Sequence, residues 1–153
     1  MKAEIVAATA EHAEAIAMDA READIAELWA QAKATPLEAM EYGLQFGART
    51  GLLDGVPACM FGVSPHPSMP GTGVPWLVSS DRMQGMAAQK RLLVASRAQF
   101  DGMKARYALL FNVVDDRNKA AMRWLRWLGF DVGEPFPHGP FRMPFRIFQW
   151  SAK

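Results

Sequence analysis

Thiols, imidazoles and phenols are scarce in this chain of 153 residues. It holds one cysteine, three histidines and two tyrosines. A single cysteine, Cys59, excludes an internal disulfide and any multi-cysteine metal site. His12, His66 and His138 are too scattered to complete a metal-ligand cluster, so no metal is expected. No apolar run approaches the roughly 20 residues that cross a bilayer, which argues against a membrane span. Glu4 and Glu11 place acids too early for a secretory leader. There is no repeat, low-complexity tract or linker. Together these absences favour one domain over 1–153 in a reducing, cytoplasmic setting. Half of the residues are hydrophobic and 22% are charged, an ordinary globular balance.

What is present is unevenly placed. Residues 1–78 carry four Lys/Arg against ten Asp/Glu, a balance of −6. Residues 79–153 carry thirteen against six, a balance of +7. Such polarity suits a polyanionic ligand on the C-terminal half, with nucleic acid as a competitor, although solvated helix faces also produce it.

The local patterns give an order of elements. AEIVAA (3–8) is a short strand. Thr9 caps a helix over 10–20, and a second helical stretch sets Ile25, Leu28 and Trp29 at i, i+3, i+4. Thr35, Pro36 and Glu38 open a third helix with a capping box, aligning Leu37, Met40 and Leu44. Asp54-Gly55 joins the two strands of a hairpin within 48–63. SPHPSMPGTG (64–73) is a loop, VPWLVSS (74–80) a strand, and 85–103 a helix. RYALLFNVV (106–114) is a buried strand, and Asp116 or Asn118 caps a helix ending at Gly129. Ala121, Trp124, Leu125 and Leu128 form that helix's apolar face, with Arg123 and Arg126 outside. That face makes MRWLRWLGF an amphipathic helix rather than a nucleic-acid strip. Two strands close the chain, around the HGP turn at 138–140. The predicted architecture is an α/β mixed sheet with helices on both faces.

RMQGMA (82–87) stands where a strand hands over to a helix. Small residues there permit either close packing on the sheet or a phosphate cradle built from helix-terminal N–H groups.

The chain resembles the GNAT (GCN5-related N-acetyltransferase) superfamily. Arg82-Met83-Gln84-Gly85-Met86-Ala87 fits that family's pyrophosphate-loop pattern. LLFNVVD is followed by Asn118 and Ala121, and Leu128-Gly129-Phe130 closes the helix at the family's distance. WLVSSD, MFGVSP and HGPFRMPFRIFQW further resemble small acetyltransferase-type proteins of short-tailed phages, which places the protein in a host cytoplasm or virion. The resemblance implies a central, mostly antiparallel sheet and acetyl-coenzyme A as cofactor. Arg82, Gln84, Gly85, Met86 and Ala87 would hold the pyrophosphate, and Lys90 or Arg91 would reach the 3′-phosphate. Leu77, Val78 and Ser79 would pair with the pantetheine, and Asn118 would contact the cofactor. For Asn118 a capping role stands beside that reading.

Acetyl transfer to an amine needs a base and often an acid. The family's frequent tyrosine, seven residues beyond the Asn, is here Leu125. Its frequent glutamate falls in Gly71-Thr72-Gly73-Val74, which has no carboxylate. Ser79, Ser80, Asp81, His66 and His138 remain as groups that might serve, and the catalytic residues stay unassigned. The reading is therefore an N-acetyltransferase acting on a small-molecule or protein amine. Its rival is a catalytically weak or silent protein of the same fold in a phage virion or assembly, with a protein partner or a homo-oligomer. The acceptor is expected beside residues 22–45 and 64–73, where acids favour a cationic amine.

Overall fold

The computed structural model describes residues 1–152. Its elements are β1 (Ala3–Ala7), α1 (Ala10–Met18), α2 (Glu22–Ala32), α3 (Pro36–Gly43), β2 (Arg49–Leu53), β3 (Val56–Pro65) and β4 (Thr72–Ser79). There follow α4 (Met86–Ala95), α5 (Arg97–Arg106), β5 (Leu109–Asp115), α6 (Lys119–Trp127), β6 (Asp131–Val132), β7 (Phe136–His138) and β8 (Met143–Ser151). The strands form one sheet in the order β1-β2-β3-β4-β5-β8-β6, with β7 also paired to β8. Every pairing is antiparallel except β4 with β5.

Local chemistry explains most boundaries. Thr9 and Thr35 accept from the backbone N–H groups of His12 and Glu38, whose side chains return the bond, so α1 and α3 open on reciprocal caps. Asp54 and Gly55 both take positive φ, the twist that a two-residue hairpin requires. The helix expected over 85–103 is two helices. Ser96 Oγ donates to the Leu93 carbonyl at 3.0 Å, and its backbone leaves regular helical geometry (ψ 0°) between α4 and α5. The strand expected before the HGP turn is likewise divided into β6 and β7.

Helices cover both faces. Ile16 of α1 and Met40 of α3 pack with Met60 and Val78 on one side of the sheet. Leu92, Met103, Met122, Trp124 and Leu128 from α4–α6 pack with Phe61, Leu110 and Val114 on the other. α2 departs from its expected orientation. Ile25 and Trp29 are 45% and 50% exposed, while Asp24 is buried. Its inner face is instead the i, i+3, i+4, i+7 set Asp24, Glu27, Leu28 and Gln31.

Trp76 fixes α3 on the sheet. A methyl group built at Gly43 would overlap the indole, so this helix can approach only as glycine. Gly43→Ala is expected to destabilise the protein by about 2 kcal/mol through overpacking, measured by urea unfolding.

Candidate functional site

β4 and β5 run parallel, yet they pair only at Thr72–Leu109 and Gly73–Leu110. Beyond that point they diverge. Pro75 has no N–H, so the ladder cannot continue through it. The Pro75 carbonyl accepts from Asn112 Nδ2 at 2.9 Å, and Asn112 Oδ1 accepts from the Val113 N–H at 2.8 Å. One side chain thus replaces the lost rungs at the apex of a wedge.

The wide end of the wedge is spanned by one turn of α2. Asp24 Oδ2 accepts from both the N–H and the hydroxyl of Ser79 on β4, each at 2.6 Å. The Ser79 carbonyl accepts from the Arg21 N–H at 2.9 Å. Three residues along, Glu27 Oε1 accepts from the Asp115 N–H on β5 at 2.8 Å and from Asn118 Nδ2 at 3.4 Å. Pro75 and Ser79 turn their polar groups into the wedge, so strand alternation turns those of Leu77 there as well. Val78, alternating with them, faces β3, where it is paired with Met60.

A cavity of about 320 Å³ passes through this wedge. Leu28, Gln31, Ala39, Tyr42 and Trp76 line it from the α2–α3 side. Leu92, Ser96, Asn118, Trp124 and Leu125 line it from the α4–α6 side. Glu27 lies at the junction. Burial pushes its carboxyl up to about 7, with the Asp24 and Asp115 carboxylates adding to the effect and the bonds from the Asp115 N–H and Asn118 opposing it. The Asp24 carboxyl is also raised by burial, against the bonds from Ser79 and the charge of Arg21. A carboxyl poised near neutrality in a cavity has the property of a proton acceptor.

The 82–87 segment lies at the start of α4. Met83 is buried, whereas Arg82, Gln84, Gly85, Met86 and Ala87 are exposed. Gly85 has φ 86° and ψ 146°, a conformation that is essentially glycine's alone. A Cβ built there would meet nothing within 4 Å. Backbone conformation therefore requires this glycine, and close packing on the sheet does not. α4 has no side-chain N-cap, and its first helical bond runs from the Gln89 N–H to the Gly85 carbonyl. The N–H groups of Met86, Ala87 and Ala88 consequently point out of the helix end without helical partners. Gln89 steadies this turn: its Nε2 donates to the Met83 carbonyl at 3.0 Å, and its Oε1 accepts from Trp124 Nε1 at 3.2 Å.

Other candidates have structural duties. Asn118 caps α6, accepting from the Ala121 N–H, and also donates to Glu27. Ser80 Oγ donates to the Ala58 carbonyl. His66 Nδ1 accepts from the N–H groups of Ser68 and Met69, closing the 66–69 turn. His138 lies among the rings of Phe136 and Phe145. Ser79, Ser80, Asp81, His66 and His138 are all absent from the cavity lining. Leu125 does line it and has no proton to give. Cys59 is buried, and burial pushes its thiol up to about 12, so it is not a nucleophile. Sequence reading missed Asp24 and Glu27. Their i, i+3 spacing was visible, but the apolar set Ile25, Leu28 and Trp29 drew attention to a different face of α2.

No protein-family model matches the sequence, and no curated protein matches it. Solved structures do match by shape. An N-acetyltransferase from Staphylococcus aureus Mu50 superposes with a TM-score of 0.75 at 16% identity, over 100% of each chain. A GNAT-superfamily phosphinothricin acetyltransferase from Sinorhizobium meliloti, in complex with acetyl-coenzyme A, gives 0.72 at 18% identity, over 99% of this chain and 89% of that one. The chain has the GNAT fold. A ribosomal-protein-alanine N-acetyltransferase from Brucella melitensis also shares it, with a TM-score of 0.71 at 14% identity, over 97% of this chain and 99% of that one. These bacterial structures lend no support to the likeness with phage proteins. No described helix is long and apolar enough to cross a membrane.

Two stability measurements test the site's construction. Gly85→Ala should cost about 1–3 kcal/mol for its backbone conformation alone, read by urea unfolding. Glu27 titrates near 7 in the folded protein, above its ordinary 4.5, so the folded state binds the proton more tightly. Its contribution is full below the ordinary value and is lost as pH rises through about 7. Glu27→Gln should therefore gain on the parent by about 2 kcal/mol between about pH 5 and about pH 8, in urea midpoints at the two pH values.

Proposed function

We propose that residues 1–153 form one acetyl-coenzyme A-dependent N-acetyltransferase domain acting on a primary amine. The observation that carries this reading is the conjunction of an unpaired wedge between β4 and β5 with an uncapped, glycine-opened helix start at α4. The first offers Leu77 N–H and C=O to an extended amide-bearing arm. The second offers backbone N–H groups and a helix dipole to a pyrophosphate. The acetyl-coenzyme A complex of the similar Sinorhizobium protein supports the same reading.

Within that reading the expected contacts narrow. Leu77 is the strand residue with free polar groups toward the wedge, because those of Ser79 are engaged by Arg21 and Asp24. Gly85, Met86 and Ala87 contribute backbone N–H groups, and Arg82 contributes charge. Asn118 orients Glu27 as well as capping α6. The cofactor supplies an acetyl carbon activated as a thioester. Glu27 accepts the proton that the amine must lose as the C–N bond forms and the C–S bond breaks. Glu27 would then return that proton to water, from which the departing thiolate, leaving with the bonding electron pair, would be protonated.

Leu125 in the position of the family's tyrosine favours a second reading, a protein that keeps the fold and the cofactor site without chemistry. Glu27 weighs against it, because a carboxyl at the junction of the cavity needs no dedicated partner acid when water protonates the thiolate.

Titration calorimetry with acetyl-coenzyme A should show micromolar binding that an Arg82→Glu/Gly85→Glu double variant abolishes; equal binding by the folded variant removes the 82–87 segment from the site. For turnover, kcat should rise with pH through about 7 as Glu27 loses its proton. Glu27→Gln should lower kcat about 100-fold while leaving cofactor affinity intact. An unchanged kcat in that variant would transfer the base's role elsewhere.

A further inference from the structure

Taking the acetyltransferase reading as its basis, we infer that the acceptor is a small monoamine on an apolar body of aromatic size, without a carboxylate or a second ammonium group. The chamber on the α2–α3 side decides this. Its walls are Leu28, Ala39, Tyr42 and Trp76; Gln31 and Ser64 add uncharged polar side chains, the Ser64 hydroxyl donating to the Val74 carbonyl. The two α2 carboxylates beside it are not equivalent. Asp24 is committed to Ser79 through two 2.6 Å bonds. Glu27 engages its neighbours through Oε1 alone, which leaves Oε2 for an incoming amine.

One available carboxylate matches one ammonium. A polyamine would need a second anion, and its further charge would lie against Leu28, Tyr42 or Trp76 at a heavy desolvation cost. Glu38 and Glu41 of α3 do not line the chamber, and Glu38 is occupied in capping Thr35. An amino acid would need a cation for its carboxylate. Arg21 lines the cavity, but its guanidinium lies over the Trp124 ring at 5.5 Å and its Nη1 donates to the Ser79 hydroxyl at 3.4 Å. Arg117 is held by both oxygens of Asp115 and does not line the cavity.

The aromatic walls fix the body. Trp76 forms the floor, pinned beneath Gly43. Tyr42 stands at the rim, 55% exposed and edge-on to Phe46 with centroids 5.4 Å apart. A flat ring between Tyr42 and Trp76 would bury apolar surface and gain from offset or edge contacts. The whole cavity, about 320 Å³, must also admit the thioester, which limits the acceptor to a compact molecule.

The test compares 2-phenylethylamine, spermidine and phenylalanine as acceptors, reading release of free coenzyme A thiol. In parallel, calorimetry follows 2-phenylethylamine binding to the protein without cofactor. The expected result is a kcat/KM for 2-phenylethylamine at least about tenfold above either competitor. Tyr42→Ala, at an exposed position that the fold tolerates, should raise its KM about fivefold with kcat nearly unchanged. Spermidine or phenylalanine used equally well overturns the inference. So does a KM indifferent to Tyr42, or an absence of both transfer and amine binding. Amine binding that depends on Tyr42 but is not followed by transfer would uphold the chamber and refute the catalytic reading instead.

Discussion

A parallel strand pair that separates after two rungs leaves backbone N–H and C=O groups inside the protein without partners, and each must be satisfied or left for a ligand. Much of this molecule follows from how that demand is met between β4 and β5. Pro75 removes one donor at the start of the divergence. Asn112 crosses the narrow part and serves both strands. α2 lies across the wide part, presenting Asp24 to one strand and Glu27 to the other. Between these two closures, the polar groups of Leu77 are left facing the cavity. The gap and its candidate base therefore have one origin: the carboxylates are buried because the strands need acceptors, and burial is what raises their affinity for protons.

The charge asymmetry between the halves of the chain fits this arrangement. The acidic half contributes the α2 and α3 helices that border one side of the cavity, and the basic half contributes Arg82 in the turn before α4 and Lys90 and Arg91 within that helix. An anionic ligand approaching one mouth and a cationic one approaching the other would each meet a favourable field. Trp124 stands between the two regions, bonded to Gln89 on the α4 side and covered by the Arg21 guanidinium on the α2 side. A displacement of the turn at Met83 would accordingly be felt at the start of α2 through three side chains.

Features set by neighbours in sequence were legible from the residues. The Asp54-Gly55 turn and the reciprocal caps at Thr9 and Thr35 depend on residues no more than three apart, and the pattern states them directly. The sheet with helices on both faces followed from the order of those segments. α2 was misjudged because its burial is decided by β4 and β5, some 50 to 90 residues away in the chain. Periodicity asks which side of a helix is oily; here two diverging central strands asked for acceptors and left Ile25 and Trp29 turned outward. Ser96 interrupted an otherwise continuous helical pattern through a side-chain bond that composition alone does not reveal. The 82–87 segment was recognisable as a pattern, but the reason for Gly85 became clear only from its φ and the empty space around it.

The burial of Cys59 against Gly51 has a practical corollary. With its thiol buried and held protonated at ordinary pH, Cys59 should react only slowly with sulfhydryl reagents in the folded protein. Colour developed rapidly by such a reagent in a mixture with a thioester should therefore report thiol released from the thioester. Equally, a cysteine introduced at a solvent-facing site such as Trp29 would be the sole attachment point for a spectroscopic tag, so the helix that bridges the strands could be watched from outside without altering the native thiol.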